Sequence, residues 1–264
     1  MDSPDLDAEV LLSHVTGLDR AGLFREWKRI LTEEEKDGFF ALAGRRLAGE
    51  PVAYLTGHKV FMGLDFIVNE RVMIPRPETE LLVETALRLL HGRPAVIDVG
   101  TGSGVIAVTL ALFKPEAVVY ATDCSPEAIE VALANALKHG VGERIFFYQG
   151  DLLDPLNGHI GTGCVDLIAA NLPYIGRGDL SALPRDIRLF EPLLALDGGS
   201  DGLDLYRRLI PAAQGFLRSG GVLLFEIGYN QGRVALSLLN DRYWETAVLK
   251  DLAGRDRLLL AKRW

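Results

Sequence analysis

A glycine-rich loop is the first segment of this chain whose residue types suit chemistry. It reads Asp98-Val99-Gly100-Thr101-Gly102-Ser103-Gly104 and lies between a predicted strand and a predicted helix. Glycines let a backbone turn sharply and approach a ligand closely, and the free N–H groups at a helix start can hold a carboxylate or a phosphate. No Gly-Lys-Ser/Thr follows, which excludes a P-loop. The pattern indicates a nucleotide-like cofactor, with candidate contacts from Asp98, Gly100, Thr101, Gly102, Ser103 and Gly104.

Two acidic residues bear on which cofactor this is. Asp123 ends the next predicted strand, 23 positions after Gly100, where a carboxylate can accept both ribose hydroxyls of an adenosine-containing cofactor. NAD and S-adenosylmethionine both fit to this point. Asp98 favours S-adenosylmethionine, because an acid at that place can face an ammonium group, which the methionine part carries and NAD lacks. The plain alternative is a tight strand–helix turn in which Asp98 only caps the helix.

The second such segment is the tetrapeptide Asn171-Leu172-Pro173-Tyr174, which directly follows a predicted strand. Ligands of parallel sheets bind at the carboxyl ends of the strands, so the tetrapeptide should lie beside the glycine loop. It resembles the (Asn/Asp/Ser)-Pro-Pro-(Tyr/Phe) motif of methyltransferases that modify a planar, amide-like or exocyclic nitrogen. The plain alternative is a turn that ends the strand.

The residue types of the tetrapeptide suit an amide substrate. An amide nitrogen is a poor nucleophile because its lone pair is delocalised, so it must be held in line and given electron density. The side-chain oxygen of Asn171 and the backbone carbonyl of Leu172 can accept from its two N–H bonds, and Tyr174 can stack on its flat face. Leucine stands where the motif has its first proline, although Pro173 still favours an extended backbone before it. We expect the carbonyl acceptor to survive, with looser positioning and a lower rate.

The whole chain resembles the bacterial release factor glutamine methyltransferases. The matching segments are Pro75 to Glu80, Asp98 to Gly104, Asn171 to Tyr174, Glu191-Pro192, Asp201 to Leu203, Glu226 to Gly228 and Asp251 to Arg257. The resemblance implies methyl transfer from S-adenosylmethionine to the amide nitrogen N5 of the glutamine in the Gly-Gly-Gln motif of release factors, with S-adenosylhomocysteine as product and no metal. It also implies adenine contacts after the third strand. There Leu152 would give an apolar contact, and Asp151 would accept from the adenine amino group or cap a turn.

Alternating strands and helices should position these segments. Strands are predicted at 95–99, 117–122, 145–148, 165–170, 221–227, 245–249 and 257–261, and helices at 78–90, 105–113, 126–138 and 203–216. Parallel strands joined by crossover helices follow from that order. The predicted fold class is α/β with a doubly wound, mostly parallel sheet. The resemblance implies that this sheet is of the class I S-adenosylmethionine-dependent methyltransferase type.

The first part of the chain differs in pattern. Apolar residues at helical spacing end at Gly17, and Thr32 with Glu35 forms a capping-box signature before a second helix. A hairpin is predicted over 60–68, with its turn at 62–65. We therefore predict a small helical domain with a hairpin linker at 1–72 and an α/β domain at 73–264. The family resemblance implies that the first domain recognises the substrate and that the second is the methyltransferase domain.

Composition narrows the function classes. The 48% hydrophobic content excludes a disordered chain, and the longest nearly apolar run, at 105–113, is too short for the roughly 20 residues of a membrane span. Two cysteines favour a reducing cytoplasm, and the histidines show no zinc-ligand spacing. A net charge of −8 disfavours a nucleic-acid partner.

Several alternatives stay open from the sequence. The substrate could be a ribosomal-protein glutamine or an adenine N6 amine, or Leu172 could have left a silent S-adenosylmethionine-binding module. The segment 76–80 could touch substrate or simply favour the start of a helix with its acids. Glu226 could face the cleft or be a buried, paired carboxylate.

Overall fold

The computed structural model describes residues 3–264. Over that range the helices are α1 Pro4–Thr16, α2 Arg20–Arg25, α3 Glu33–Leu47, α4 Val52–Thr56, α5 Glu78–Leu89, α6 Val105–Phe113, α7 Pro126–Lys138, α8 Arg185–Phe190, α9 Asp204–Phe216 and α10 Gly232–Ser237. The strands are β1 His58–Phe61, β2 Leu64–Ile67, β3 Ala95–Val99, β4 Val118–Asp123, β5 Ile145–Gln149, β6 Val165–Ala170, β7 Leu217–Glu226, β8 Trp244–Lys250 and β9 Asp256–Arg263.

Seven strands form one sheet in the order β5-β4-β3-β6-β7-β9-β8. The strands from β3 to β7 run parallel to their neighbours, and β9 lies antiparallel between β7 and β8. This confirms the predicted doubly wound, mostly parallel sheet. Chain order reverses between β3 and β6, which is the point where sheets of this kind open a crevice for ligands.

Helices cover both faces of the sheet, and each face has its own core. Helix α6 packs in one of them and is apolar on every side; its residues from Val105 to Ala111 are all buried. Helix α9 covers the other face, where its Tyr206 stacks on Phe225 of β7 with ring centroids 4.5 Å apart. Such burial on both sides explains why the central strands read as continuous apolar runs.

The hairpin of β1 and β2 joins the helical N-terminal region to the sheet. Phe61 and Phe66 are buried in the same core as α5 and α6. Asn135 of α7 accepts from the Ile67 backbone N–H at 2.7 Å and donates to the Ser103 carbonyl at 2.8 Å. The hairpin is thereby tied to the glycine loop, and the predicted boundary between 72 and 73 stays a prediction.

Most predicted elements are present, and the differences have local causes. The hairpin turn is only Met62 and Gly63, both with positive φ, whereas Leu64 and Asp65 belong to β2. The predicted turn over 62–65 was therefore too long, because a two-residue turn of this kind matches the twist of the strands. Strand β7 begins at Leu217, where a bulge still allows pairing with Val165 of β6. None of the helices between residues 3 and 264 is long and apolar enough to cross a membrane.

Candidate active site

The segments that carry the predicted site residues lie close together because neighbouring parallel strands of the sheet end at the same height. Val99 at the end of β3 pairs with Thr122 of β4 and with Ala170 of β6. The glycine loop, Asp123 and the tetrapeptide therefore leave the sheet at one edge. Between them opens a cleft with a volume of about 370 Å³, within the size range of small-molecule sites.

Most of the predicted site residues line this cleft. They are Gly100, Thr101, Gly102, Ser103, Asp123, Asp151, Leu152, Asn171, Leu172 and Pro173. Asp98, Gly104 and Tyr174 do not line it. The structure therefore brings ten of the thirteen predicted residues to one cleft, and their contacts with a ligand stay predictions.

The glycine loop needs its glycines for two different reasons. Gly100 has a φ of 72°, and a Cβ atom there would meet the Cδ2 atom of Leu172 at 2.7 Å. Gly104 has a φ of 81°, and a Cβ there would press on the backbone of Ala132 in α7 at 3.1 Å. The first glycine lets the loop close over the tetrapeptide, and the second lets α6 start against α7.

Asp98 lies fully buried behind the loop. Its Oδ2 atom accepts from the Thr101 hydroxyl at 2.7 Å and from the Ala107 N–H in the first turn of α6 at 3.1 Å. Its Oδ1 atom has no hydrogen-bond partner within residues 3–264. Burial raises the pKa of Asp98 to about 7. An unpaired, buried carboxylate oxygen of this kind is what a bound cation near the loop would satisfy.

Asp123 faces the cleft with its carboxylate held in place. Oδ2 accepts from the Gly102 N–H at 2.9 Å and Oδ1 from the Ser125 N–H at 3.0 Å. Burial raises its pKa, and the backbone hydrogen bonds oppose that rise. The carboxylate lines the cleft, where it can accept from ligand hydroxyls. The site thus fits the charge and hydroxyl pattern of S-adenosylmethionine.

The segment after β5 contributes a wall of the cleft. Leu152 has a φ of 47°, a conformation that costs energy for a residue with a side chain. Asp151 forms an ion pair with Arg208 of α9, which also lines the cleft. The predicted apolar contact of Leu152 and the predicted adenine contact of Asp151 stay predictions.

The tetrapeptide is anchored to the end of β7. Asn171 donates through Nδ2 to the Thr79 hydroxyl at 2.9 Å, and that hydroxyl donates to Oε2 of Glu226 at 2.8 Å. The Tyr174 hydroxyl donates to Oε1 of the same carboxylate at 3.1 Å. Glu226 is fully buried, so burial raises its pKa, while Thr79, Arg257 and Tyr174 lower it.

The backbone of the tetrapeptide has its own tether. The N–H of Leu172 donates to the hydroxyl of Tyr206 at 3.2 Å, and that hydroxyl donates to the backbone carbonyl of Glu226 at 2.6 Å. The Leu172 side chain is buried beneath Gly100. Leucine therefore has both an N–H partner and a packed side chain at the position where the family motif has proline.

Two parts of the cleft were missed by sequence reasoning. One is the segment before α5, where Met73 and Pro75 line the cleft, and the other is the loop that contributes Leu194 and Ala195. An ion pair between the partly exposed Arg76 and the buried Glu191 joins these two segments. Both residues lie in segments that carried the family resemblance, which was the available signal. No group of His, Cys, Asp or Glu side chains within 3–264 is arranged to hold a metal ion.

Comparisons with known proteins agree along the whole chain. Residues 1–57 match the family described as PrmC N-terminal domain, and residues 90–227 match the family described as methyltransferase domain. The release factor glutamine methyltransferase of Moorella thermoacetica is 46% identical over 100% of this chain and 93% of its own length. That of Geobacter sulfurreducens is 43% identical over 96% and 88%. The solved structure of a ribosomal protein L11 methylase from Lactobacillus delbrueckii subsp. bulgaricus is 26% identical, covers 71% of this chain and 80% of its own, and has a TM-score of 0.52.

Proposed function

The chain belongs to the family of release factor glutamine methyltransferases, and from that premise we propose how its own residues carry out the reaction. The enzyme transfers a methyl group from S-adenosylmethionine to the side-chain amide of a glutamine in a peptide-chain release factor. We propose that this glutamine is the one in the Gly-Gly-Gln motif. The observation that supports the mechanism best is the Asn171 side chain, which lines the cleft while its NH₂ group is bound to Thr79.

The residues around the glycine loop would hold the cofactor. Asp123 would accept from the ribose hydroxyls. The unpaired oxygen of Asp98, which lies behind the loop, would pair with the positively charged amino group of the cofactor. Leu152 and Asp151 would flank the adenine. When bound, S-adenosylmethionine supplies an electrophilic methyl group on sulfur and is converted to S-adenosylhomocysteine.

The tetrapeptide would orient the glutamine amide. The free Oδ1 of Asn171 and the carbonyl oxygen of Leu172, to which no residue in 3–264 donates, can each accept one N–H of the substrate. Two acceptors fix the nitrogen in line for attack and push electron density onto it, and both effects favour the transition state over the ground state. The ring of Tyr174 would pack against the flat face of the amide. The alkylated nitrogen is acidic enough to lose its proton to water, so no strong base is required.

The N-terminal region would help to hold the release factor, and we propose that the reaction takes place in the cytoplasm with a protein as the only macromolecular partner. The net charge of −8 supports this over a nucleic-acid partner, since tight binding to a phosphate backbone usually needs a basic face.

Intact-mass analysis of purified release factor tests the proposal. After incubation with the enzyme and S-adenosylmethionine, one added methyl group is expected, mapped by peptide sequencing to the Gly-Gly-Gln glutamine, and Asn171→Ala should abolish it. Ribosomal protein and adenine-containing DNA are incubated in parallel. A methyl group on either of these, with the release factor unmodified, would contradict the proposed substrate. Cofactor binding without any methyl transfer would identify a silent module.

A further inference from the structure

The Asn171 carboxamide has two ends of similar size, and only one of them suits the proposed reaction. Its oxygen accepts hydrogen bonds, whereas its NH₂ group donates them. If the carboxamide were rotated by half a turn, its NH₂ group would face the N–H bonds of the substrate amide. Two donors cannot form a hydrogen bond with each other, so the substrate would lose this contact. The direction of this side chain therefore has to be fixed by its neighbours.

The hydrogen bonds around Thr79 fix that direction. An ionised Glu226 can only accept, so the single proton of the Thr79 hydroxyl points to Oε2 of Glu226, 2.8 Å away. The hydroxyl oxygen is then an acceptor toward Asn171, 2.9 Å away, and only the NH₂ end of Asn171 can satisfy it. The Oδ1 atom of Asn171 then points away from Thr79 and has no hydrogen-bond partner among residues 3–264.

We propose that Thr79 and Glu226 are positioning residues that orient Asn171 so that its oxygen faces the substrate amide. The proposal rests on the proposed function and adds two residues that act through Asn171. Glu226 also accepts from Tyr174 at 3.1 Å, so one buried carboxylate positions both polar side chains of the tetrapeptide. The Arg257 guanidinium, 3.9 Å from Oε1, helps to keep that carboxylate ionised.

Three substitutions on α5 separate positioning from packing. Thr79→Val keeps the shape of the side chain and removes the hydroxyl, and Thr79→Ser keeps the hydroxyl and removes a methyl group. Thr85→Val makes the same chemical change at another buried threonine of the same helix, away from the cleft. Each variant is checked for its melting temperature and for its affinity for S-adenosylhomocysteine.

Kinetics with purified release factor are the first readout. Thr79→Val should lower kcat about 10- to 100-fold, the scale of a misdirected reacting group, with KM for the release factor and the affinity for S-adenosylhomocysteine unchanged. Thr79→Ser and Thr85→Val should retain the wild-type kcat. Glu226→Gln, which replaces one acceptor oxygen by a donor NH₂, should lower kcat as Thr79→Val does.

A second readout needs no turnover. Asparagine-selective nitrogen-15 labelling of the full chain gives six side-chain amides, and the one that disappears in Asn171→Ala is assigned to Asn171. Its NH₂ resonances should move in Thr79→Val and Glu226→Gln, and stay in place in Thr85→Val.

The outcomes separate this proposal from the proposed function. An unmodified release factor with the wild-type enzyme contradicts the function, and the resonances of Asn171 still test the orientation. A Thr79→Val enzyme with wild-type kcat, or with unmoved Asn171 resonances, overturns the positioning role. If Thr79→Val does not fold, Thr79→Ala replaces it; failure of both would overturn the proposal, because the hydroxyl would then be needed for folding.

Discussion

The hydrogen bond from the Leu172 N–H to Tyr206 predicts an energetic dependence between these two residues. Tyr206→Phe keeps the ring and its stacking on Phe225 but removes the hydroxyl. That change leaves the buried Leu172 N–H without its partner and takes a donor from the Glu226 carbonyl. An unpaired buried N–H costs about 1–3 kcal/mol and a lost carbonyl hydrogen bond about 1 kcal/mol. Tyr206→Phe should therefore lower the free energy of unfolding by about 2–4 kcal/mol.

The same substitution should cost less when residue 172 is proline. Leu172→Pro has no N–H to satisfy, and its Cδ atom takes the place of the hydrogen that points at the Tyr206 hydroxyl. In that background Tyr206→Phe therefore costs at most the bond to the Glu226 carbonyl, about 1 kcal/mol. A double-mutant cycle in urea should give a coupling energy of about 1–3 kcal/mol, which is the difference between these two costs. Tyr120→Phe, at a tyrosine outside the cleft, serves as the matched control. Leu172→Pro should change kcat little, because the Tyr206 bond already restrains the backbone.

Equal costs of Tyr206→Phe in the wild-type chain and in the Leu172→Pro variant would refute this reasoning. The prediction made from sequence was looser positioning at Leu172, and it would be supported by a large rise in kcat in Leu172→Pro. Restraint by Tyr206 and loose positioning of Leu172 therefore predict different coupling energies between Leu172→Pro and Tyr206→Phe, and different values of kcat for Leu172→Pro. Both quantities come from the same four proteins, measured by urea unfolding and by methyl transfer to release factor.

Other perturbations test the cofactor side of the site. The pKa of Asp98 is about 7 in the free protein, and a bound cation would lower it. The affinity for S-adenosylhomocysteine should therefore fall as the pH drops below 7, and calorimetry in two buffers should detect a proton released on binding. Asp98→Asn should show neither the fall in affinity nor the proton release. Gly100→Ala should lower the free energy of unfolding by about 2 kcal/mol or more and weaken cofactor binding, because its Cβ atom would meet Leu172. Gly63 also has a positive φ but has open space around it. Gly63→Ala should therefore lower the free energy of unfolding by less and leave cofactor binding intact. Asn135→Ala breaks three hydrogen bonds between the hairpin, α7 and the glycine loop and should lower the unfolding free energy by about 2–3 kcal/mol, measured in urea; a change below about 1 kcal/mol, the worth of a single ordinary hydrogen bond, would contradict that assignment.

The sequence predicted the elements that carry their own boundary signals. Helix α7 begins at Pro126 after a Ser125 cap that accepts from the Ala128 N–H, and the predicted bounds match. Strands β3 and β6 are short apolar runs buried on both faces, and their predicted bounds also match. Helices α2 and α4 were missed, because five or six residues hold too little periodicity to stand out and depend on packing.

The parts of the site that were missed depend on contacts distant in sequence. Thr79 lies 92 positions from Asn171 and 147 from Glu226, yet the three side chains form one chain of hydrogen bonds. No local pattern distinguishes this Thr79 from a first-turn threonine of any helix. Sequence reasoning could therefore identify the tetrapeptide and the glycine loop. It left the segment 76–80 and Glu226 as open alternatives and gave no sign that Thr79 and Glu226 act through Asn171.

The end of β7 offers an account of how the tetrapeptide tolerates leucine. A proline at position 172 would restrict the backbone by its ring, which is a restraint internal to the tetrapeptide. Here the restraint comes from outside: the carboxylate of Glu226 binds Tyr174 and Thr79, and its backbone carbonyl binds the Tyr206 hydroxyl that accepts from Leu172. The side chain of one residue and its own carbonyl thus hold the tetrapeptide through separate bonds. Absence of the ring then removes one of several restraints, so the carbonyl of Leu172 can keep the position that the proposed acceptor role requires.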